Sequence, residues 1–515
     1  MGHLFIRADA TPEMGTGHIM RCLAVAQAWR TWGGSVTFIS KYKNNGLSSR
    51  LTSEGFHLAP LQESCPHPKD ILETLAVLQS DSSSEKSDTW IILDGYHFTK
   101  DYQKKLLKNG YKVLVIDDNN HLPEYSASIL LNQNICADQF MYTHDKDTTM
   151  LLGPRYTLLR QEFLSCPQNT IPDTAQNILV TMGGADIHNL SLTVVKSLQS
   201  LNRLDLNVKV VVGTANPHLH ILSGLDPAPL TIDLVQNGDM PKLMQWADMA
   251  VTAGGTTCLE LAFMGVPAIA VITADNQINP VAALEKKGVL FNLGHFETIE
   301  TDRLATAISD LISNITRQKE MADNGRRLID GKGAKRVIRQ MLVKNSEIRR
   351  ATMQDAQLIW ELANDPFVRE SSFSSQPIAW DTHISWFQTK ISDPDFFLYI
   401  VLTPDQQLIG QIRFEKKEKI FFISYSLAEK FRSLGLGTVL LKVGMRKLQS
   451  ETGKKILVQG EVKPQNAASI KSFEKCGFEM VADNPKLVYQ LQMDSNTYFE
   501  LPEHITINTD VTPNE

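Results

Sequence analysis

The apolar positions of this chain fall into three successive patterns. Up to about residue 160, short apolar runs alternate with charged, helix-favouring stretches such as residues 100–108. The runs are Leu4-Phe5-Ile6, Val36-Thr37-Phe38-Ile39, Trp90-Ile91-Ile92-Leu93, Val113-Leu114-Val115-Ile116 and Ile129-Leu130-Leu131. Runs that are apolar at every position read as strands buried on both faces, as in parallel sheets. The serine-rich stretch 80–87 reads as a surface loop. A second alternating series follows the linker from Cys166-Pro167 to Pro172. It predicts strands over 178–181, 208–212, 232–235, 249–252 and 268–272, and helices over 190–200, 240–246, 257–264 and 280–287. Two βαβ blocks predict two doubly wound, Rossmann-like α/β domains, 1–165 and 173–344, meeting at a ligand-binding cleft. From Ile348 one helical stretch and then strands over 397–402, 408–414 and 419–426 predict a separate α+β domain, 348–492. The polar stretch 496–515, with two prolines, is expected to be a disordered tail.

Bulk composition narrows the class. A chain of 515 residues exceeds one core, and three domains match its length. A formal net charge of −6 argues against nucleic acid as the main partner. Six scattered cysteines with no CxxC pair fit thiols in a reducing compartment, not disulfides or a zinc site. Asp9 and Glu13 interrupt any signal-peptide pattern, and no apolar run reaches the ~20 residues of a membrane span. A cytoplasmic protein without membrane partner or metal is expected. Oligomeric state is not legible.

Three glycine loops carry the candidate chemistry. Gly15-Thr16-Gly17-His18-Ile19-Met20-Arg21 lies between the first strand and an apolar-periodic helix. A helix start offers unpaired N–H groups and a positive dipole end to phosphate, and His18 adds a titratable base there. Met182-Gly183-Gly184-Ala185-Asp186 and Gly254-Gly255-Thr256-Thr257 hold equivalent places in the second block. Together they resemble a clamp for a nucleoside diphosphate. Glu260, one turn into the following helix, is suited to accept from the hydroxyls of a ribose.

Those loops, with Asp94-Gly95-Tyr96, Asp117-Asp118, Leu131-Asn132, Gly153-Pro154-Arg155-Tyr156, Leu159-Arg160, Asn189, Glu260 and Asn276-Gln277, occur in one order. In that order the chain resembles, from residue 3 to about 340, the UDP-sugar hydrolases of pseudaminic acid biosynthesis. That family is similar to the GT-B-type, two-domain fold of the peptidoglycan enzyme that transfers N-acetylglucosamine. The resemblance implies that UDP is removed from 2,4-diacetamido-2,4,6-trideoxy-β-L-altropyranose with inversion, His18 activating the water. It implies that Tyr96 and Asn276 line the sugar site and Glu260 helps hold uridine. The expected substrate and UDP set is Gly15, Gly17, Arg21, Tyr96, Arg155, Gly183, Gly184, Asn189, Gly255, Thr256, Glu260, Asn276 and Gln277. Asp9, Arg21 and Asp94 either orient the first loop or pair with one another.

In the last third, Phe431-Arg432-Ser433-Leu434-Gly435-Leu436-Gly437 again stands between a strand and a helix, turning N–H groups toward a pyrophosphate. About thirty residues later comes the stretch from Asn466 to Phe478. The pair resembles the GCN5-related N-acetyltransferases (GNAT), whose loop holds acetyl-CoA between two splayed strands. Arg432, Gly435, Gly437, Thr438 and Asn466 are the expected acetyl-CoA contacts, acetyl-CoA being a co-substrate. Many members carry a tyrosine at the place of Phe473 to protonate the leaving thiolate. Phe473 cannot. Tyr425, Glu461 and His383 are alternative groups, each with an ordinary structural role beside the catalytic one. The stretch from Gly325 to Gly333 has one residue too many for a P-loop and reads as a basic helix ending in a glycine cap.

A chain with both resemblances is expected to acetylate the 4-amino group of a UDP-amino sugar and then hydrolyse the product. Two alternatives are a UDP-sugar glycosyltransferase, and a sugar-nucleotide-binding protein whose last domain acetylates protein N-termini.

Overall fold

The computed structural model describes residues 2–10, 16–41, 45–62, 66–81, 86, 89–213, 216–236, 238–344, 346–403, 406–453, 455–483, 485–494, 497 and 505–507. The chain forms two compact units, Met1–Ile338 and Arg339–Glu515. The first contains both α/β domains.

In the N-terminal domain seven strands form one parallel sheet: β1 (His3–Ala8), β2 (Ser35–Ser40), β3 (His57–Pro60), β4 (Trp90–Asp94), β5 (Lys112–Ile116), β6 (Ile129–Asn132) and β7 (Thr149–Leu152). Their order is β3-β2-β1-β4-β5-β6-β7. The chain winds outward from β1 to β3 and then returns to place β4 beside β1, so the topology reverses between those two strands. Ligands of such sheets bind at this reversal, outside the carboxyl ends of the strands. The His18 loop leaves β1 there, and Gly95-Tyr96 leaves β4.

The second domain repeats the scheme with β8 (Asn177–Thr181), β9 (Asn207–Val212), β10 (Thr231–Gln236), β11 (Met249–Ala253), β12 (Ala268–Ile272) and β13 (Phe291–His295). Its order is β10-β9-β8-β11-β12-β13, reversing between β8 and β11. Both remaining glycine loops of the first unit lie on that reversal. Its core joins Val180, Val210 and Val251 from the strands to Val194 and Leu198 of the helix Leu190–Ser200.

The second unit is a mixed sheet of β14 (Ser346–Arg350), β15 (Phe396–Leu402), β16 (Leu408–Lys417), β17 (Ile420–Leu427), β18 (Ile456–Val462), β19 (Glu479–Ala482), β20 (Leu487–Met493) and β21 (Ile505–Ile507). Pairing is antiparallel except for β17 with β18 and β14 with β21.

Several expectations need correction. β3, β7 and β13 were not legible as strands, and all three are edge strands, mixed in polarity because one side lacks a partner. Between β14 and β15 lie three helices, Ala356–Asn364, Pro366–Ser371 and Trp380–Ile391, not one; Pro366 begins a new helix directly after the first. Residues 505–507, expected in a disordered tail, pair in parallel with β14 and cover its otherwise open edge. The basic helix Ile315–Leu328 ends in an extended Ile329, and Gly331, with φ of 71°, lies two residues beyond that cap. Within the expected loop 80–87, residues 82–85 and 87 lie outside the described residues, as does Cys65. Among the described residues no helix is long and apolar enough to cross a membrane. Among them, no group of three or more His, Cys, Asp or Glu side chains is arranged to hold a metal ion.

Candidate functional site

His18 stands in the first turn of the helix Gly17–Thr31, with its side chain 11% exposed. Its Nδ1 lies 2.7 Å from Oδ1 of Asp94, the last residue of β4. Asp94 is fully buried. Burial alone would raise its pKa, but the charges of Arg21 and then His18 outweigh that and hold it well below the usual carboxylate range. An ionised carboxylate only accepts, so His18 Nδ1 is the donor to Asp94, and in the neutral imidazole this pairing puts the lone pair on Nε2. That leaves a base at a helix N-terminus, its tautomer fixed by a buried acid.

Arg21, one turn along the same helix, binds Asp94 in a fork: Nε to Oδ2 and Nη2 to Oδ1, both at 2.6 Å. Nη2 is also 3.2 Å from His18 Nδ1, a contact of two donors aimed at one carboxylate. Nη1 of Arg21 donates to Asp118 at 2.7 Å, and Asp118 accepts from the Tyr96 hydroxyl at 2.5 Å. Burial and then Asp118 push the Tyr96 phenol far above its ordinary pKa, so it stays protonated. The Tyr96 ring meets His18 edge-on, centroids 5.4 Å apart, and meets His121 at 5.5 Å. Tyr96 remains 37% exposed and so is available to a ligand.

The helix-start arrangement in the second domain is similar in outline. Gly183 has φ of 84°, a conformation that favours glycine. A Cβ on Gly213 would lie 2.1 Å from the carbonyl oxygen of Gly184, so the two backbones touch. Asp186 accepts from the N–H groups of Leu190 and Ser191 at 2.8 and 3.0 Å, capping the helix that follows. Asn189 is left-handed, with φ of 53°, and its buried Oδ1 has no hydrogen-bond partner among the described residues. Gly255 faces open space, and Thr256 is the N-cap residue of the helix Thr257–Met264 without using its side chain as a cap. Glu260 meets Arg160 at 3.4 Å. Burial raises the Glu260 pKa and Arg160 opposes the rise. Gln277 Oε1 accepts from the N–H and hydroxyl of Thr273 at 2.9 and 3.2 Å, while Asn276 is exposed.

The structure therefore brings Gly17, His18, Arg21 and Tyr96 together at one sheet reversal, and Gly183, Gly184, Asn189, Gly255, Thr256 and Glu260 at the other. Gly15 lies outside the described residues. Asp9 does not join the His18 group: it takes a two-pronged ion pair from buried Arg7, at 2.7 and 2.8 Å. Arg155 is exposed, and its carbonyl accepts from Arg336. Asp118, the shared acceptor of Arg21 and Tyr96, was legible only as part of the pair Asp117-Asp118.

In the second unit, β17 and β18 pair only from Ile420–Leu457 to Ile423–Gly460. Beyond that point they part, leaving unpaired backbone of the kind expected to take an extended ligand. A Cβ on Gly460 would lie 2.5 Å from the Phe473 ring, which is buried and stacks on Tyr489 at 5.7 Å. Gly435, φ 73°, is the N-cap of the helix Leu436–Thr452, with Gly437 and Thr438 in its first turn. Tyr425, two residues past the parting point, donates to Ser469 at 3.2 Å. Asn466 caps the helix Ala467–Lys475 through Ser469 N–H. Arg432 turns away from the loop, to the carbonyl of Leu427 at 3.0 Å and to Asp365 at 2.6 Å. His383 is buried against the Ala356 carbonyl, and Glu461 pairs with Lys486.

Comparison with known proteins agrees with this division. Residues 177–341 match the glycosyltransferase family 28 C-terminal domain, and residues 346–479 match the acetyltransferase (GNAT) domain. A Methanocaldococcus jannaschii protein described as uncharacterized is 22% identical over 504 residues, covering 92% of this chain and 96% of its own. The spore coat polysaccharide biosynthesis protein SpsG of Bacillus subtilis is 25% identical over 341 residues, 65% of this chain and 96% of its own. The UDP-2,4-diacetamido-2,4,6-trideoxy-beta-L-altropyranose hydrolase of Campylobacter jejuni is 24% identical over 289 residues, 55% of this chain and 97% of its own. The chain thus joins two Rossmann-like domains, the second of the family 28 kind, to a GNAT acetyltransferase domain.

Proposed function

We propose that the first unit hydrolyses a UDP-linked amino sugar and that the second acetylates the sugar before it is cleaved. The observation that carries the first half is the His18–Asp94 pair at the β1/β4 reversal. His18 Nε2 takes a proton from water, the water oxygen bonds to the anomeric carbon, and the bond from that carbon to the diphosphate oxygen breaks. The electron pair leaves with UDP, and configuration at the anomeric carbon inverts. Backbone donors at helix starts stabilise the charge that develops on the diphosphate, so the leaving group needs no strong acid. Similarity to the Campylobacter jejuni hydrolase supports UDP-2,4-diacetamido-2,4,6-trideoxy-β-L-altropyranose as substrate.

For the second unit, the GNAT match and the splay of β17 from β18 support acetyl-CoA as donor. The acceptor in this reading is the 4-amino group of the UDP-sugar that the first unit then cleaves. Proton NMR of the full chain with UDP-amino sugar and acetyl-CoA tests both halves, the expected order being acetylation followed by loss of the anomeric phosphate coupling.

A second reading, transfer of the sugar to an acceptor, is favoured by the family 28 match over residues 177–341. It requires UDP release to depend on an added acceptor. Release in buffer alone supports the hydrolase and discards the transferase.

A further inference from the structure

One face of the second unit's sheet changes character between neighbouring strands. On β15, Phe396, Leu398, Ile400 and Leu402 join an apolar core with Ile359, Leu362 and Phe387. On the next strands the same face becomes polar. Leu398 is opposite Arg413 and Ile400 opposite Gln411; Arg413 is in turn opposite Ser424, and Gln411 opposite Ser426. Residues directly opposite one another share a face. Ser424 is also the first residue of β17 beyond its parting from β18. The polar strip therefore runs to the edge of the splay, on the sheet face opposite Tyr425.

Arg413 is the anomaly in this strip. Its guanidinium lies over the Trp386 ring at 5.6 Å, yet it makes no hydrogen bond or ion pair among the described residues. Glu415, two residues along on the same face, is held by Lys390 at 3.1 Å. The other charge acting on Arg413 is a like one, Arg369 of the helix Pro366–Ser371. Among the described residues Arg369 holds only neutral acceptors, the carbonyls of Ser374 and Gln376 at 3.3 Å and the Ser372 hydroxyl at 3.2 Å, and its buried Nε has no partner among them. Lys463, just after β18, reaches the same helix through the Glu370 carbonyl at 2.7 Å, again with no carboxylate partner among the described residues. Four other cations of this unit meet carboxylates: Arg349 with Asp355, Arg350 with Glu451, Arg432 with Asp365 and Lys486 with Glu461.

A guanidinium keeps its charge when buried, so two of them sheltered with no carboxylate in contact among the described residues are unfavourable unless a ligand supplies one. We propose that Arg413 and Arg369 form an anion subsite for the acetyl acceptor, and that the acceptor is a nucleoside diphosphate-linked amino sugar whose diphosphate lies against both. Planar guanidinium groups match phosphate oxygens in paired hydrogen bonds. The same positive strip repels a polycationic acceptor such as a polyamine. This inference rests on the reading of the second unit as a sugar-nucleotide acetyltransferase and adds which residues read the nucleotide.

The test is acetyl transfer by the full chain, followed as release of the coenzyme A thiol, with a UDP-linked 4-amino sugar or spermidine as acceptor. Loss of charged hydrogen bonds predicts that Arg413→Gln raises KM for the UDP-amino sugar about tenfold or more. The KM for acetyl-CoA should be unchanged, and Arg413→Lys should recover part of the loss. An unchanged acceptor KM in Arg413→Gln, with wild-type turnover of the UDP-amino sugar intact, overturns the subsite and leaves the acetyltransferase reading standing. Wild-type turnover of spermidine with none of the UDP-amino sugar overturns both.

Discussion

The carboxylate of Asp94 accepts from Nδ1 of His18 at 2.7 Å while Arg21 forks onto the same two oxygens at 2.6 Å. Arg21 also pairs with Asp94, and the carboxylate's role toward His18 is to orient the imidazole. His18→Asn should abolish UDP release, with UDP binding retained within a few-fold. Asp94→Asn keeps the shape but permits the wrong tautomer, and should lower kcat by about 10²- to 10⁴-fold, the range of general-base catalysis. Calorimetric titration with UDP separates loss of chemistry from loss of binding. Turnover near wild type in His18→Asn removes the imidazole from the reaction.

Tyr96 shares Asp118 with Arg21 and keeps an exposed ring edge beside His18. Removing the hydroxyl in Tyr96→Phe leaves the ring contact but frees one Asp118 oxygen. A lost hydrogen bond to a charged group is worth about 1.5–3 kcal/mol when buried, and less here because Asp118 retains Arg21. The expected result is a higher KM for the UDP-sugar with kcat changed less. Steady-state UDP release across substrate concentrations checks this. A fall in kcat at unchanged KM would instead assign the hydroxyl to the reacting centre.

Much of this arrangement was visible in residue order, and what was hidden has a common cause. Fully apolar strands such as Trp90-Ile91-Ile92-Leu93 report their burial directly. The glycine loops report helix starts, because few residues other than glycine tolerate the φ of 84° at Gly183 or 73° at Gly435. Partner choice is different. His18 and Asp94 are separated by 76 residues and meet only because β4 returns to lie beside β1. Asp9, nearer in sequence, is drawn off by Arg7 two residues away. The meeting of Arg160 with Glu260 and the turning of Arg432 away from its glycine loop likewise depend on tertiary placement, which spacing does not encode.

His97 gives the first unit a pH-dependent stability. Its Nε2 is buried without a hydrogen-bond partner among the described residues. Burial first, and the charge of Arg7 second, push its pKa from 6.5 down to about 4, while Asp9 and Asp70 act in the opposite direction. The folded chain thus resists a proton that the unfolded chain accepts. Stability is therefore full above 6.5, falls as pH drops through the window down to about 4, and stops falling from this source below it. Urea midpoints at several pH values across that window should decline for wild type and decline less for His97→Leu. Equal slopes in the two proteins would show that His97 is not the group responsible.

Phe473 stands where the resemblance to the GCN5-related N-acetyltransferases implies a tyrosine, but Tyr425 brings a phenol to the splay. Its ring meets Phe473 edge-on at 6.0 Å, its hydroxyl donates to Ser469 at 3.2 Å, and a Cβ on Gly437 would approach that oxygen to 3.5 Å. Burial raises the phenol's pKa, so it remains protonated at neutral pH and available as a donor. The sheet places it on the side opposite Ser424, so a change there should spare acceptor binding. Tyr425→Phe is expected to lower kcat for thiol release by about tenfold or more, at the lower end of general-acid effects. The KM for the UDP-amino sugar should hold. A purely structural hydroxyl would instead lower the melting temperature and leave kcat at permissive temperature intact, so kcat and melting temperature measured on the same preparation decide between the two roles.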